Sequence, residues 1–223
     1  MSGTLVNFLA IIAGGLVGIF FKNRLSAKIQ LTIIQGLSLV VILIGLQMAL
    51  QTDNLLILLF SLVGGGISGE LLKIENRLAK LGEKIKKDFQ QDNSLFVQGF
   101  VQATLVFCVG AMAVMGAIQD GINNDPTILY NKAVLDGIAA VAFSASLGMG
   151  VIFSAIPVLV YQGGITILAS WVEQFLTQAM ITQMTATGGL LIIALGLNML
   201  KITTIRVGNL LPALLLAILL SIF

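Results

Sequence analysis

The sequence predicts an all-α fold, a polytopic bundle of about eight transmembrane helices. Three observations predict it: 57% of the 223 residues are hydrophobic, 10% are charged, and the apolar residues fall in long unbroken runs. A soluble domain carries about 25% charged residues, so a soluble enzyme and a nucleic-acid-binding module are excluded. Backbone groups in lipid must bond within their own segment, so these runs form helices, and the lipid bilayer is the expected partner.

The individual spans follow from length, because about 20 apolar residues are needed to cross the hydrocarbon core. Seven spans are the alternative, if the sixth stretch re-enters the membrane instead of crossing it. We expect one integral membrane domain over residues 1–223, with its first stretch retained because no basic residues precede it. The eight stretches are residues 3–21, 31–51, 54–72, 95–118, 127–148, 150–172, 184–200 and 206–222.

Basic residues orient these spans. The loops after spans 1, 3 and 7 share one side of the membrane. The loops on the other side contain a single basic residue, Lys132. The positive-inside rule makes the first side cytoplasmic and places both termini outside. The cytoplasmic side carries eleven basic residues, namely Lys22, Arg24, Lys28, Lys73, Arg77, Lys80, Lys84, Lys86, Lys87, Lys201 and Arg206.

Residues 73–93 form a long polar stretch after span 3. Its apolar residues have the spacing of one helix face, and its other face is rich in lysine. We expect a cytoplasmic amphipathic segment that lies against anionic lipid headgroups. The apolar residues are Ile74, Leu78, Leu81, Ile85 and Phe89.

The two halves of the sequence share an order of short motifs. Spans 1–3 then match spans 6–8, and because an offset of five spans reverses orientation, the predicted repeat is inverted. Inverted repeats are typical of secondary transporters, whose sites lie where the repeats meet. The first set is Gly14-Gly15, Gly45-Leu46-Gln47-Met48 and Asn54-Leu55-Leu56, and the second is Gly163-Gly164, Gly196-Leu197-Asn198-Met199 and Asn209-Leu210-Leu211.

Spans 1 and 6 contain residues that disrupt helices. Pro157 removes a backbone donor shortly before Gly163-Gly164, and Gly14-Gly15 takes the matching place in span 1. Interrupted helices at corresponding positions predict a binding site near the midplane. The alternative is that the glycines serve only close helix packing.

Span 5 places charge inside the membrane. If its helix starts at Asp125-Pro126, Asp136 lies about 15 Å deep, with Lys132 one turn before it. A carboxylate there costs about 2.5–3.5 kcal/mol or more unless it is paired, hydrated or protonated. This predicts a cation- or proton-linked site, the alternative being a static ion pair.

Further polar residues complete the candidate site. Gln162 and Tyr161, beside the glycine pair, are expected to contact solute, with Asn7 facing them from span 1. Glu70, at the end of span 3, is expected at the cytoplasmic boundary, either solvated, paired with a basic loop residue or acting as a gate. Asp120, past span 4, is expected in a solvated outer loop.

The residue inventory limits the chemistry. The sequence has no histidine and a single cysteine, Cys108, so we expect no metal site, disulfide or histidine-based catalysis. Without paired membrane carboxylates at a readable spacing, neither catalytic residues nor an enzyme are expected, and no cofactor is implied.

Several of these motifs also carry a resemblance that spans nearly the whole chain. The sequence resembles the uncharacterised bacterial membrane protein family that includes YdfK and YqgA, which implies a multi-pass inner-membrane protein but no particular substrate. Asn124 stands where the family pattern has glycine, which concerns the tightness of one turn. The matching residues are Gly69-Glu70, Leu105-Val106-Phe107-Cys108, Asp125-Pro126-Thr127-Ile128-Leu129, Lys132, Leu135-Asp136, Ser146-Leu147-Gly148, Ile156-Pro157, Gln162 and Asn209-Leu210-Leu211-Pro212-Ala213.

Three functions fit these observations. The first is a homo-oligomeric secondary transporter of a small solute or ion, coupled to a cation or proton through Asp136. The second is an ion channel or pore lined by the glycine- and serine-rich side of span 5. The third is a non-transporting scaffold in which residues 73–93 recruit a partner or anionic lipid.

Overall fold

The computed structural model describes residues 1–22, 24, 26–77, 80 and 93–222, and this part of the chain is helical without β-strands. The all-α prediction is confirmed. Most of the segment 73–93 lies outside the described residues. The helices are α1 (Ser2–Lys22), α2 (Ala27–Ala49), α3 (Leu55–Leu72), α4 (Asn93–Cys108), α5 (Ala111–Asn123), α6 (Thr127–Leu147), α7 (Gly150–Phe153), α8 (Ala155–Ile167), α9 (Ala169–Phe175), α10 (Gln178–Met199) and α11 (Pro212–Leu220), the last preceded by a 3-10 turn at Val207–Leu210.

Six of these segments are long and apolar enough to cross a membrane: α1, most of α2, α3, α6, α7 with α8, and α10. Helices α4 and α5 form a seventh if they are counted as one bent span, and Val207–Leu220 is a shorter apolar helix. Large apolar side chains such as Leu9 and Leu39 are about 60% exposed, as expected for surfaces that face lipid. The chain is therefore a polytopic membrane protein, and the count of eight spans stays a prediction.

The chain forms two compact units. The first contains Met1–Ile34 and the described part of Gly82–Phe175, and thus α1 and α4 to α9. The second contains the described part of Gln35–Leu81 together with Leu176–Phe223, and thus most of α2 with α3, α10 and α11. The expectation of a single domain stays a prediction.

Helices α1 and α6 pack with their backbones in close contact. A Cβ atom added at Gly14 would collide with the carbonyl of Gly137, and one added at Gly18 would collide with the carbonyl of Val141. Helix α1 runs unbroken through Gly14-Gly15, so the predicted interruption of span 1 is wrong. The close-packing alternative describes these glycines, because a missing side chain lets two helix backbones approach.

Span 6 is interrupted earlier than predicted. The helix breaks at Ser154, between α7 and α8, and α8 is continuous across Gly163-Gly164. Pro157 lies in the first turn of α8, where an N–H group has no partner within the helix and its absence costs little.

The pronounced break lies in span 4, where the sequence predicted a continuous helix. Helices α4 and α5 meet at an angle of 60° around Val109-Gly110. Gly110 has a φ of 144°, a backbone conformation that a residue with a Cβ rarely adopts. This glycine therefore redirects the chain between two buried helices.

In the second unit, α2 and α10 pack against each other in a reciprocal way. A Cβ atom at Gly45 would lie 2.7 Å from the carbonyl oxygen of Gly189 and 2.8 Å from Ile193. A Cβ atom at Gly196 would lie 2.5 Å from Ile42 and 3.1 Å from the carbonyl oxygen of Ser38. The contact residues of the two helices are related by a constant offset of 151: residues 38, 42 and 45 of α2 correspond to residues 189, 193 and 196 of α10. The two helices therefore contact each other through equivalent positions.

Candidate binding site

An ion pair is buried inside the first unit. The ammonium group of Lys132 bonds the carboxylate of Asp136 one helical turn away on α6, and their side chains are only 8% and 10% exposed. Both side chains are thus largely withdrawn from water, so each charge depends on the other for compensation. The two predicted residues therefore lie together, with opposite charges that cancel.

The turn before α6 sets the position of this pair. Asn124, at the position where the resemblance has glycine, has a φ of 51° and adopts the left-handed conformation. Asp125 accepts hydrogen bonds from the backbone N–H and hydroxyl of Thr127 at 3.1 and 2.5 Å and from the amide of Gln119 at 2.5 Å. These bonds lower the pKa of the Asp125 carboxyl, the largest contribution being that of the Thr127 hydroxyl.

Two amides join the ion pair from neighbouring helices. The Nδ2 atom of Asn7 on α1 donates to Asp136 Oδ2 at 3.0 Å and to Gln162 Oε1 on α8 at 3.1 Å. Both amide side chains are fully buried. The four residues Asn7, Lys132, Asp136 and Gln162, called here the polar cluster, thus link α1 to α6 and α8, which lie more than 100 residues later in the sequence.

Threonines brace α1 against α8 next to the polar cluster. The Thr166 hydroxyl donates its proton to the carbonyl of Gln162 at 2.9 Å, so it must accept from the Thr4 hydroxyl, which lies 3.3 Å away. The glycines of α8 leave room here: the nearest atoms to a Cβ at Gly163 would be 3.8 Å away, and none lies within 4 Å at Gly164.

The end of α4 also reaches the polar cluster, which the sequence did not predict. The Lys132 ammonium lies 6.0 Å from the centroid of the Phe107 ring, near enough for a cation–π attraction. Phe107 is fully buried and immediately precedes the break around Gly110. A glycine following an apolar run is a weak signal that could have indicated this break.

The polar cluster has unused hydrogen-bonding capacity. Asn7 Oδ1 and Gln162 Nε2 are buried and have no hydrogen-bond partner among the described residues. The hydroxyls of Ser144 and Ser146, also on α6, are in the same condition. An unpaired buried polar group costs about 1–3 kcal/mol, so these atoms mark places where a water or a ligand would be stabilised.

Two predicted residues lie outside the polar cluster. Tyr161 is half-buried on α8, and within the described chain no hydrogen bond joins it to these four residues. Pro157 shapes the start of α8 as described above.

Glu70 belongs to a different arrangement in the second unit. Its carboxylate pairs with Arg206 at 2.9 Å, and the two side chains are 59% and 68% exposed. Asn209 donates to the same carboxylate at 2.5 Å and accepts from the Glu75 backbone N–H at 2.8 Å. The predicted pairing with a basic loop residue is present, and the gating role stays a prediction.

Asp120 differs from its prediction. Its carboxylate is buried, with a residue exposure of 2%, whereas a solvated loop position was expected. It accepts from the backbone N–H of Gly3 at 3.1 Å and pairs with the amino group of Met1 at 2.9 Å. The donors to the Asp120 carboxylate therefore come from the start of α1 and not from water, as the prediction of a solvated loop implied.

Comparison with known proteins agrees with this architecture. Residues 2–222 match the family described as "Protein of unknown function (DUF554)". The chain is 31% identical over 219 residues to the "Uncharacterized membrane protein YdfK" of Bacillus subtilis (strain 168), covering 96% of this chain and 93% of the relative. It is 30% identical over 224 residues to the "Uncharacterized protein YqgA" of Escherichia coli (strain K12), covering 98% and 95%. No solved structure matches. The chain therefore belongs to the DUF554 family.

Proposed function

We propose that the protein is a secondary transporter of a small solute or ion, coupled to a proton or cation through Asp136. One observation carries the proposal: a buried ion pair is bonded to two fully buried amides that retain an unused acceptor and an unused donor. A static ion pair would be stabilised by partners that complete its hydrogen bonds. The unfilled atoms instead favour a site that takes up a ligand.

The coupling step follows from the charges. With Asp136 ionised, the polar cluster is neutral, because the carboxylate compensates Lys132. A proton that arrives at Asp136 removes this compensation and leaves a buried positive charge, which is costly in a medium of low polarity. Release of the proton restores the pair. The loaded and unloaded states therefore differ in free energy at the point where solute would bind, as coupled transport requires.

The predicted internal repeat supports the same class of protein. The reciprocal contacts of α2 and α10 have the form expected for two antiparallel helices related by a pseudo-two-fold axis, because residues 38 and 45 meet residues 196 and 189 in reverse order. Each unit also contains motifs from both halves: Gly14-Gly15 and Gly163-Gly164 in the first, Asn54 and Asn209 in the second. Inverted halves related in this way are a common build of secondary transporters.

Location and orientation complete the proposal. We infer a bacterial inner-membrane protein with both termini outside, because eleven of the twelve basic residues fall on the opposite side under the eight-span arrangement. Anionic headgroups would then contact the lysine-rich residues 73–93 from the cytoplasmic leaflet. We also propose that the protein forms a homo-oligomer in the membrane.

Reconstitution in liposomes tests the transport function. Proteoliposomes containing the wild-type chain and a trapped pH dye should acidify under an imposed membrane potential, either alone or with a panel of small solutes outside. Asp136→Asn should abolish this flux, because its amide cannot take up a proton. Asp53→Asn, at an exposed position between α2 and α3, is the matched control and should leave it unchanged. Equal flux in all three preparations would refute coupling at Asp136.

A pore is the second candidate, and the buried hydroxyls of Ser144 and Ser146 favour it. Both lie on α6 and lack partners among the described residues, so they could contact a file of water or ions. Planar-bilayer recording separates the two candidates, because a pore gives unitary current steps whereas a carrier gives slow, saturable flux. A protein with neither behaviour would leave the scaffold alternative.

A further inference from the structure

We propose that Asn7 and Gln162 form a subsite for an uncharged solute that carries both a hydrogen-bond donor and an acceptor, as a primary amide or urea does. The inference rests on the proposed function and narrows its solute class. It starts from two unpaired atoms of the polar cluster, an acceptor at Asn7 Oδ1 and a donor at Gln162 Nε2.

The identity of these atoms is fixed by the ion pair. A carboxylate paired with Lys132 can only accept, so the side of the Asn7 amide that faces Asp136 must be its NH₂ group. The second hydrogen of that group points to Gln162, which must therefore present its oxygen to Asn7. Reversing the Asn7 amide would place oxygen against oxygen, and reversing the Gln162 amide would place one NH₂ group against another. The outward atoms are consequently one acceptor and one donor.

One small molecule can reach both atoms. The bonded atoms of the two amides are 3.1 Å apart, and the oxygen and nitrogen of one amide group are about 2 Å apart, so the two unpaired atoms lie within about 8 Å of each other. An amide or urea carries its own donor and acceptor on adjacent atoms and adds two hydrogen bonds of about 3 Å each. It can therefore bridge the pair in a single orientation.

Charge selects against ions at this position. Lys132 and Asp136 already cancel, and Asn7 and Gln162 are fully buried, so an added ion would bring an uncompensated charge. A neutral dipolar molecule adds none. Its two ends match the two unpaired atoms, which a purely apolar molecule would leave unsatisfied.

The residues next to Gln162 on α8 are loosely packed, so a small displacement of neighbouring side chains would admit such a molecule beside the two covered atoms. The adjoining Gly163 and Gly164 have no neighbour within 3.8 Å of the position of a Cβ atom, unlike Gly14 and Gly18 on α1. These glycines are therefore not needed for close packing. Because they have no side chains, they leave the surface of α8 beside the Gln162 donor uncovered by α8 itself.

Light scattering of proteoliposomes after osmotic shock tests the proposal with urea and acetamide as probes, and with sodium chloride as the comparison solute. We expect the protein to raise entry of urea and acetamide over empty liposomes, with little effect on sodium chloride. Gln162→Met keeps the volume but removes the donor and should lower entry about tenfold or more. Gln102→Met, at another buried glutamine of the same unit, is the matched control and should not lower it.

Folding of the variants is checked by size-exclusion chromatography and by the reactivity of Cys108. Gln162→Glu provides a second variant that retains the acceptor facing Asn7 and removes the donor, so it too should lose amide entry.

The proposal is overturned if urea and acetamide enter no faster than into empty liposomes, if only water permeability rises, or if Gln162→Met and the control Gln102→Met show the same amide entry. Coupled flux that depends on Asp136 without amide entry would overturn this inference and leave the proposed transporter intact. The absence of both fluxes would overturn both.

Discussion

Two ion pairs between side chains in the described part of the chain use the same chemistry in opposite surroundings. Lys132–Asp136 and Arg206–Glu70 each join a basic side chain to a carboxylate that also accepts from an asparagine. The first pair is about 90% buried and the second is more than half exposed. Water can replace a lost partner of the second pair but not of the first. The comparison teaches that burial, rather than the ion pair itself, makes the polar cluster sensitive to changes in charge.

Removing one buried charge should have the largest effect on stability. Asp136→Ala leaves Lys132 uncompensated and should lower the free energy of unfolding by about 3–5 kcal/mol. Thermal unfolding in detergent can be followed with a thiol-reactive dye, because Cys108 is the single cysteine and is largely covered. The double variant Lys132→Met with Asp136→Leu removes both charges and should recover most of the loss. If the double variant is as unstable as Asp136→Ala, packing rather than charge explains the effect.

Disrupting the contact between α1 and α6 should cause the second largest loss of stability. Gly14→Ala introduces a Cβ atom into the carbonyl of Gly137, and overpacking of this kind costs about 1–3 kcal/mol. Gly164→Ala on α8 has no neighbour within 4 Å and should raise stability by about 0.5–1 kcal/mol, because alanine is more stable than glycine in a helix interior. The same unfolding assay compares the two. Equal unfolding midpoints for the two variants would show that the α1–α6 contact accommodates the added methyl group without loss of stability.

Removing the exposed Arg206–Glu70 ion pair should lower the stability much less. Arg206→Gln removes an ion pair whose side chains are 68% and 59% exposed, so the expected loss is about 0–1 kcal/mol. Raising the salt concentration should reduce even this difference, because exposed charges are screened. A loss as large as that of Asp136→Ala would contradict the contrast between the two pairs.

The smallest effect should be the pH dependence that comes from Asp125. Hydrogen bonds from Thr127 and Gln119 hold the pKa of its carboxyl below the ordinary value of 3.8. A carboxyl with a lowered pKa in the folded state stabilises the fold above its ordinary pKa, and this contribution disappears as pH falls below 3.8 through the folded-state value. The wild-type chain should therefore unfold at a higher temperature than Asp125→Asn at pH 6, and the gap should narrow towards pH 3. A constant gap would contradict the hydrogen-bond explanation.

The sequence predicted the contents of the polar cluster better than its surroundings. Asp136 and Lys132 could be identified because charged residues are conspicuous in an apolar run, and the amides of Asn7 and Gln162 because they need partners there. The burial of Asp120 could not, since its donor at Gly3 lies 117 residues away. The break at Gly110 was missed because a glycine in an apolar span more often indicates packing than a change of direction.

The glycine contacts of α1 also determine which helices can move. Sliding α1 along α6 would drive the Gly137 and Val141 carbonyls into the neighbouring backbone, so these two helices behave as one rigid body. Helix α8 is bounded by interruptions at Ser154 and Leu168, and at Gly163 it meets α1 without tight contact. Among the described residues, the side-chain hydrogen bonds that join α8 to α1 are Thr4–Thr166 and Asn7–Gln162. The polar cluster therefore lies between a closely packed wall, made by α1 and α6, and α8, which side-chain hydrogen bonds rather than a tight glycine contact attach to α1.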